Sequence, residues 1–262
     1  MYWGQGAYQV QLIETCKNPS IDIVNLAFLN AFPDQGPGSY PGSNFGNACG
    51  EETYEVDGVK TLLRKNCPSI GPDIKACQEV YGKKVLLSIG GGWPTDYYLK
   101  SADSAKDFAE FVWAAFGPIT DSDLVPRPFG DAVVDGFDFD IESYMDSKPT
   151  GDAGEEVTNY QSQHYADMVN HLKNDCFPRD GNKQYYISGA PQCVTPDSHL
   201  ADAIANSPFD FLFVQFYNTP QCSARAGYNY MSGGQFDISF DDWVNKVASG
   251  NPNRRIYLGL VS

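Results

Sequence analysis

A chain of 262 residues can fill one large core and is close to the usual size of a single barrel of alternating strands and helices. Its 33 acidic against 18 basic residues give a formal net charge of -15, which argues against nucleic acid or an anionic membrane as partner and is compatible with a neutral polymer. No run of eighteen apolar residues occurs, so no membrane span is expected; the opening MYWGQG has neither the basic nor the apolar part of a signal peptide, which has been removed or was never there.

Tyr2 and Trp3 read as the tail of a short first strand broken by Gly4 and Gly6, and a helical stretch is expected over 8–16, with Val10, Leu12, Ile13 and Cys16 loosely on one side. IDIVNLAFLN, 21–30, is apolar on both faces, as a strand with helices on one side and core on the other should be. Residues 31–50 turn to Pro, Gly, Ser and Asn; a loop of this length is uncommon unless functional, and it is read as a wall of a site. Helical material is expected near 56–66 and over 72–80, where Pro72 fits the first turn. KKVLLSIGGG, 83–92, is a buried strand ending at Gly90, Gly91 and Gly92; it is not GxGxxG and has no phosphate-loop lysine, so tight backbone packing is preferred to phosphate binding. Ala105, Phe108, Ala109, Val112 and Phe116 repeat at helical spacing over 101–116.

A loop over 117–130 leads into DAVVDGFDFDIE, 131–142, and 143–155 is again turn-rich. A helix over 160–172 has Tyr165, Met168, Val169 and Leu172 on its apolar side. QYYISGAPQC, 184–193, is a strand with its exit loop, 198–206 a short helix, and FDFLFVQFYN, 209–218, a further strand. A helix over 237–248 places Ile238, Trp243, Val244 and Val247 in the core, and RRIYLGLVS, 254–262, comes last. The alternation of strand and helix argues an α/β architecture with parallel strands, in one domain over 1–262. The seven strand candidates lie near Tyr2, Val24, Leu87, Gly136, Ile187, Val214 and Leu258, and their exits collect the polar, aromatic and Gly-rich residues. That asymmetry belongs to a barrel with its site at the C-terminal ends of the strands; an open doubly wound sheet would focus chemistry at one crevice.

The stretch 131–142 carries the chemistry. Asp138, Phe139, Asp140, Ile141 and Glu142 alternate with the period of a strand, so three carboxyls share one face and Phe139 and Ile141 the other. Adjacent like charges raise one another's pKa and destabilise the fold, and no Lys or Arg lies inside the run to compensate. A paired-carboxylate catalytic site is therefore preferred over a solvated face or a divalent-metal site; the metal reading lacks histidines and the oxygen-rich loop spacing of an EF-hand. His164, His171 and His199 form no cluster and are expected at the surface. Seven cysteines fit no zinc spacing and suggest up to three disulfides with one thiol left over, hence a secreted or compartmentalised protein, with the connectivity open.

DGFDFDIE resembles the DxxDxDxE signature of family 18 glycoside hydrolases, with Asp135, Asp138, Asp140 and Glu142 at its acidic positions. YWGQ (2–5), NLAFLN (25–30), LLSIGGG (86–92), APQC (190–193) and VQFYN (214–218) occur in the order of the plant and fungal class III chitinases of the hevamine type, so the resemblance covers nearly the whole chain. It implies a (β/α)8 TIM barrel with the acidic motif on strand four, which agrees with the count made here. The family barrel needs one more strand and helix after Leu260, so the chain is expected to cover about strands one to seven, with a clipped first strand and without strand eight.

The resemblance also implies endo-acting, substrate-assisted hydrolysis of β-1,4 N-acetylglucosamine links in chitin or chito-oligosaccharides, with no cofactor or metal, by an extracellular or cell-wall monomer. Glu142 would be the acid and then the base, its pKa raised by the neighbouring carboxylates. Asp140 would orient the acetamide N–H, Asp138 share a proton or hydrogen bond with Asp140, and Tyr217 hold the acetamide oxygen. Gln215, Tyr2, Gly91, Trp93, Phe32 and Asn218 are the further candidates for sugar contact, and Asp135 is expected to be structural. The resemblance implies pairs of Cys16 with Cys77 and Cys193 with Cys222; Cys49 with Cys67 is the candidate for a third bridge, closing the loop between them at a wider spacing than the family's, and Cys176 would then be free. The alternatives are a noncatalytic chitin- or glycan-binding protein on the same fold and an endo-β-N-acetylglucosaminidase.

Overall fold

The computed structural model describes residues 1–119, 125–151, 153–247, 251 and 253–261. In chain order its elements are β1 (Tyr2–Trp3), α1 (Leu12–Cys16), β2 (Ile23–Leu29), β3 (Thr53–Val56), β4 (Val59–Arg64), α2 (Ile70–Glu79), β5 (Lys84–Gly90), α3 (Ala102–Phe116), β6 (Gly136–Asp140), α4 (Tyr165–His171), β7 (Tyr186–Gly189), α5 (Ala201–Asn206), β8 (Phe211–Gln215), α6 (Ala224–Tyr230), α7 (Phe240–Asp242) and β9 (Arg255–Gly259). The sheet runs β1-β2-β5-β6-β7-β8-β9, and every neighbouring pair is parallel. These are the seven strands expected from the sequence. Their unreversed order is that of a (β/α)8-type barrel, since a doubly wound sheet reverses its strand order at a switch point. Among the described residues, β1 and β9 each pair on one side only.

The helices cover the outer face. Ser101 opens α3 with a reciprocal capping box to Ser104, and the helical repeat expected there, Ala105, Phe108, Ala109, Val112 and Phe116, is buried against the sheet. Pro72 sits in the first turn of α2, where its missing N–H has no intrahelical partner to lose. The helix expected over 8–16 begins only at Leu12, because the preceding residues are tethered elsewhere. Trp3 Nε1 donates to the Val10 carbonyl at 2.8 Å and Gln9 Nε2 to the Phe45 carbonyl at 2.9 Å. The helix expected over 160–172 starts at Tyr165 and runs on as a π turn, Leu172–Cys176. That expected over 237–248 is α7 followed by a π turn, Trp243–Val247; its end at 248 lies outside the described residues, as does 120–124 of the loop before the acidic strand.

The helix expected near 56–66 is instead the antiparallel hairpin β3–β4. Asp57 and Gly58 join Val56 to Val59 with φ of 51° and 78°, the two positive values that a tight primed turn demands and that Asp-Gly supplies. Thr61 and Leu63 then face inward while Lys60 and Leu62 face out. The overlooked signal was Asp-Gly between β-branched residues.

The three disulfides are those expected, Cys16–Cys77, Cys49–Cys67 and Cys193–Cys222, with Cys176 free and buried. The first joins α1 to α2. The second closes the base of the hairpin across 18 residues, a loop for which chain entropy alone gives about 3 kcal/mol. The third ties the exit of β7 to the segment after β8, both on the rim that carries the site. Asp135 is structural, as expected: it accepts from Val85 N–H at 2.7 Å and Gln78 Nε2 at 2.8 Å and pairs with Lys183 at 2.9 Å, pinning the start of β6 against β5, α2 and the approach to β7.

Candidate active site

The alternation of the acidic strand is realised in three dimensions. Phe137 and Phe139 point outward into the apolar layer, against Phe177 and Phe209, and leave Asp138 and Asp140 to point into the barrel. Ser88 of β5 and Ser188 of β7 stand in register with Asp138 on either side. Both hydroxyls donate to its carboxylate, at 2.7 Å from Ser88, and Tyr2 Oη adds a third bond at 2.8 Å. Burial pushes the Asp138 carboxyl upward and these three donors pull it back.

One layer nearer the rim, Asp140 stands in register with Gly90. Gly90 has φ of +107°, and a Cβ there would lie 2.3 Å from the Asp140 carbonyl oxygen, so only glycine fits. Gly91 N–H donates to that carbonyl at 2.7 Å. Gln215 Nε2, from β8, reaches Asp140 Oδ1 at 2.9 Å, Glu142 Oε1 at 3.4 Å and the Ala190 carbonyl at 3.0 Å. Burial, then the charges of Glu142 and Asp138, hold the Asp140 carboxyl well above the usual carboxylate range.

Glu142 lies half-buried just past the end of β6. Its N–H donates to Tyr97 Oη at 2.8 Å, and that hydroxyl donates to the Gly91 carbonyl at 2.8 Å. A buried tyrosine thus fixes the backbone of the outermost carboxylate to the triglycine turn. Tyr217 follows β8, half-buried; burial and the charges of Asp140, Glu142 and Asp138 push its phenol upward, so it stays a hydroxyl donor.

Asp138, Asp140, Glu142, Gln215, Tyr2 and Tyr217 are therefore brought together. Phe32 is not: it is 0% exposed, 4.7 Å from the Tyr97 ring and 5.1 Å from that of Phe108, and has no surface left for a sugar. It buttresses Tyr97 instead. Gly91 is buried, with the Phe28 ring where a side chain would go, and acts through its backbone. Asn218 is exposed in the left-handed region at φ 59°, and Trp93 is 83% exposed. His199, expected at the surface, is 8% exposed, with Nε2 3.0 Å from the Ser143 carbonyl oxygen and its N–H given to Asp197, so it holds the segment after Glu142.

Ser88, Ser188 and Tyr97 escaped the sequence reading. The two serines had a signal: a lone hydroxyl in a buried apolar strand needs an acceptor, and Asp138 was the one available. Tyr97, inside a loop, had none. Glu110, His171 and Cys176 place ligand-type atoms within 4.8 Å of one another. Glu110, however, already takes both terminal nitrogens of Arg179 and Nε2 of His171, which holds its pKa near 2 and makes the group an ion-pair network tying α3 to α4.

The model of the glycosyl hydrolases family 18 matches residues 1–261. Endochitinase A of Aspergillus niger is 49% identical over 264 residues, covering 99% of this chain and 19% of its own length. The chain spans 19% to 33% of the length of the curated relatives it matches. Among solved structures, a chitinase from Ipomoea carnea is similar with a TM-score of 0.68 at 28% identity, over 99% of this chain and 93% of that one. The xylanase and alpha-amylase inhibitor protein from Scadoxus multiflorus is similar with a TM-score of 0.67 at 31% identity, over 94% and 74%. With the acidic strand at the C-terminal rim of a parallel barrel sheet, and the match running through every element described above, the chain belongs to the glycosyl hydrolases family 18.

Proposed function

We propose that the chain hydrolyses β-1,4 links between N-acetylglucosamine units within chitin or chito-oligosaccharides, with retention and with the substrate's own acetamide as nucleophile. The observation that carries this reading is the unequal pair beneath Gln215. Asp140 and Glu142 lie within reach of one amide nitrogen, closer than the roughly 6.5–9.5 Å that inverting carboxylates keep to admit a water. Of the two, Asp140 is the buried one, and burial with the charges of Glu142 and Asp138 raises its carboxyl well above the usual range, so it takes up a proton more readily than an ordinary carboxyl. A buried carboxyl that favours its proton is a poor nucleophile, so a conventional double displacement lacks a strong second carboxylate and the acetamide carbonyl takes its place.

In this mechanism the proton shared by the pair passes from Asp140 to Glu142 as the sugar binds, leaving Asp140 a carboxylate; Glu142, at the mouth, delivers that proton to the glycosidic oxygen and then, as a carboxylate, activates water. Asp140 receives the acetamide N–H and stabilises the cationic ring formed by attack of the carbonyl on the anomeric carbon. Tyr217 holds the acetamide oxygen as a donor. Asp138, with its three hydroxyl donors, fixes the charge behind Asp140, and Gln215 aligns Asp140 with Glu142. The homology to Endochitinase A supports chitin as the polymer, and the three disulfides support an oxidising, extracellular or cell-wall setting. No helix among the described residues is long and apolar enough to cross a membrane.

Removing the acetyl groups tests the reading. Tetra-N-acetylchitotetraose should be cleaved, and its fully deacetylated tetramer at least about 10³-fold more slowly, since an intramolecular nucleophile of high effective concentration is lost. Comparable rates on the two tetramers would contradict it.

A further inference from the structure

Between α5 and the π turn Trp243–Val247 the fold leaves a cavity of about 360 Å³, large enough for a small organic molecule. None of its lining residues takes part in the mechanism above. Most of the wall is apolar: Ala201 and Ile204 come from α5, Trp243 and Val247 from the π turn, and Pro196 from the loop after β7. Lys246 and Arg254 also reach the cavity, and their charges are met differently. Lys246 pairs with Asp242 at 2.9 Å. Arg254, half-buried, gives its terminal nitrogens to main-chain carbonyls instead, those of Ile204 at 2.7 Å, Val247 at 3.3 Å and Ser207 at 3.4 Å. Its Nε is buried without an acceptor, and no carboxylate among the described residues pairs with it. The adjoining loop cannot supply one, because 243–254 contains neither Asp nor Glu.

A guanidinium shared among neutral carbonyls keeps its net charge, since their dipoles offset it only in part. Burial pushes the Arg254 pKa down, the direction expected of a cation drawn away from water with no counter-ion beside it. An anion entering the cavity removes that penalty, and a planar carboxylate matches the guanidinium fork. The rest of the wall sets the rest of the ligand. Asp197 lines the same cavity, its oxygens taken by the N–H groups of Gln192 at 3.1 Å, His199 at 3.0 Å and Leu200 at 2.6 Å. Its charge still stands against a ligand with several negative charges, such as phosphate. The aliphatic wall then asks for an apolar body behind a single carboxylate.

We propose that this cavity binds an amphipathic monocarboxylate, with its carboxylate on Arg254 and its apolar body against Ala201, Ile204 and Val247. The site does not rest on the hydrolase reading, and either can fail without the other. Calorimetric titration of the whole chain with 3-phenylpropionate tests it, with 3-phenylpropanamide as the uncharged counterpart and inorganic phosphate as the bare anion. 3-Phenylpropionate should bind one-to-one with a Kd below about 1 mM, and the amide and phosphate at least about tenfold more weakly. Arg254→Gln should weaken 3-phenylpropionate about tenfold. Because Arg254 also ties three carbonyls, a second variant leaves it in place: Ala201→Leu fills the cavity from α5 and should weaken binding by about as much. If Arg254→Gln fails to fold, Ala201→Leu decides alone. No binding to wild type, equal affinity for the amide or for phosphate, or an unchanged Kd in either folded variant overturns the site.

Discussion

Glu142→Gln should lower kcat on tetra-N-acetylchitotetraose by about 10²–10⁴-fold, the range of a lost general acid-base, with KM moving by much less. The substitution keeps size and shape, and its amide oxygen can still accept from Gln215 Nε2, which now lies 3.4 Å from Glu142 Oε1. The backbone bond to Tyr97 does not involve the side chain at all, so the loop should keep its place. What disappears is the proton to deliver to the glycosidic oxygen and the carboxylate to activate water. Half-buried at the rim, Glu142 contributes little packing, so the melting temperature should change little. Wild-type rates in Glu142→Gln would remove Glu142 from the mechanism, and unfolding of the variant would mean that its role is structural.

Asp140→Asn should do two opposite things. Activity should fall by about 10²–10³-fold, as for loss of one charge-stabilising group at a developing cation, because an amide carries no negative charge to offset the cationic ring. Stability at neutral pH should rise. The folded-state pKa of Asp140 is raised by burial and by the charges of Glu142 and Asp138, so the folded protein binds this proton more tightly than the unfolded chain does. The associated stability is complete below the unfolded carboxyl's value of about 4 and is lost as pH climbs through the higher folded value. Asparagine is neutral at every pH and escapes that loss. Thermal melts of the two proteins at pH 3.5 and pH 7 should show the variant gaining on wild type at the higher pH. A variant that loses ground on going to pH 7 would mean that Asp140 is stabilised in its charged form.

Much of this was legible before any coordinates. The seven strands announced themselves because a parallel strand buried on both faces reads as a continuous apolar run, and 21–30, 83–92 and 209–218 do. The acidic strand betrayed its inward face because the period of two cannot be disguised when Phe and Asp alternate. The hairpin was misjudged because 56–66 is short and weakly periodic, and its two-residue turn outweighs the apparent helical pattern.

The limits at the site have a similar origin. A residue's position along a strand states which way it points, but not what crosses the barrel to meet it. Gln215 was foreseen as a sugar contact, and its place between Asp140 and Glu142 depends on the curvature of the three strands β6, β7 and β8. The partner foreseen for Asp140 was Asp138, whereas Asp138 is taken up by Tyr2, Ser88 and Ser188, two of which are single hydroxyls within apolar runs. Phe32 and Trp93 look alike in sequence, as aromatics in loops after strands, and only packing separates them: one is sealed beneath Tyr97 and the other stands in solvent.

The most direct test of the mechanism is the anomeric form of the first product. Proton NMR recorded within the first minutes of cleavage of tetra-N-acetylchitotetraose, before mutarotation mixes the forms, should show the newly made reducing end as the β-anomer, because attack by the acetamide and then by water inverts the centre twice. An initial α-anomer would mean a single displacement by water and would contradict the substrate-assisted reading of the Asp140–Glu142 pair.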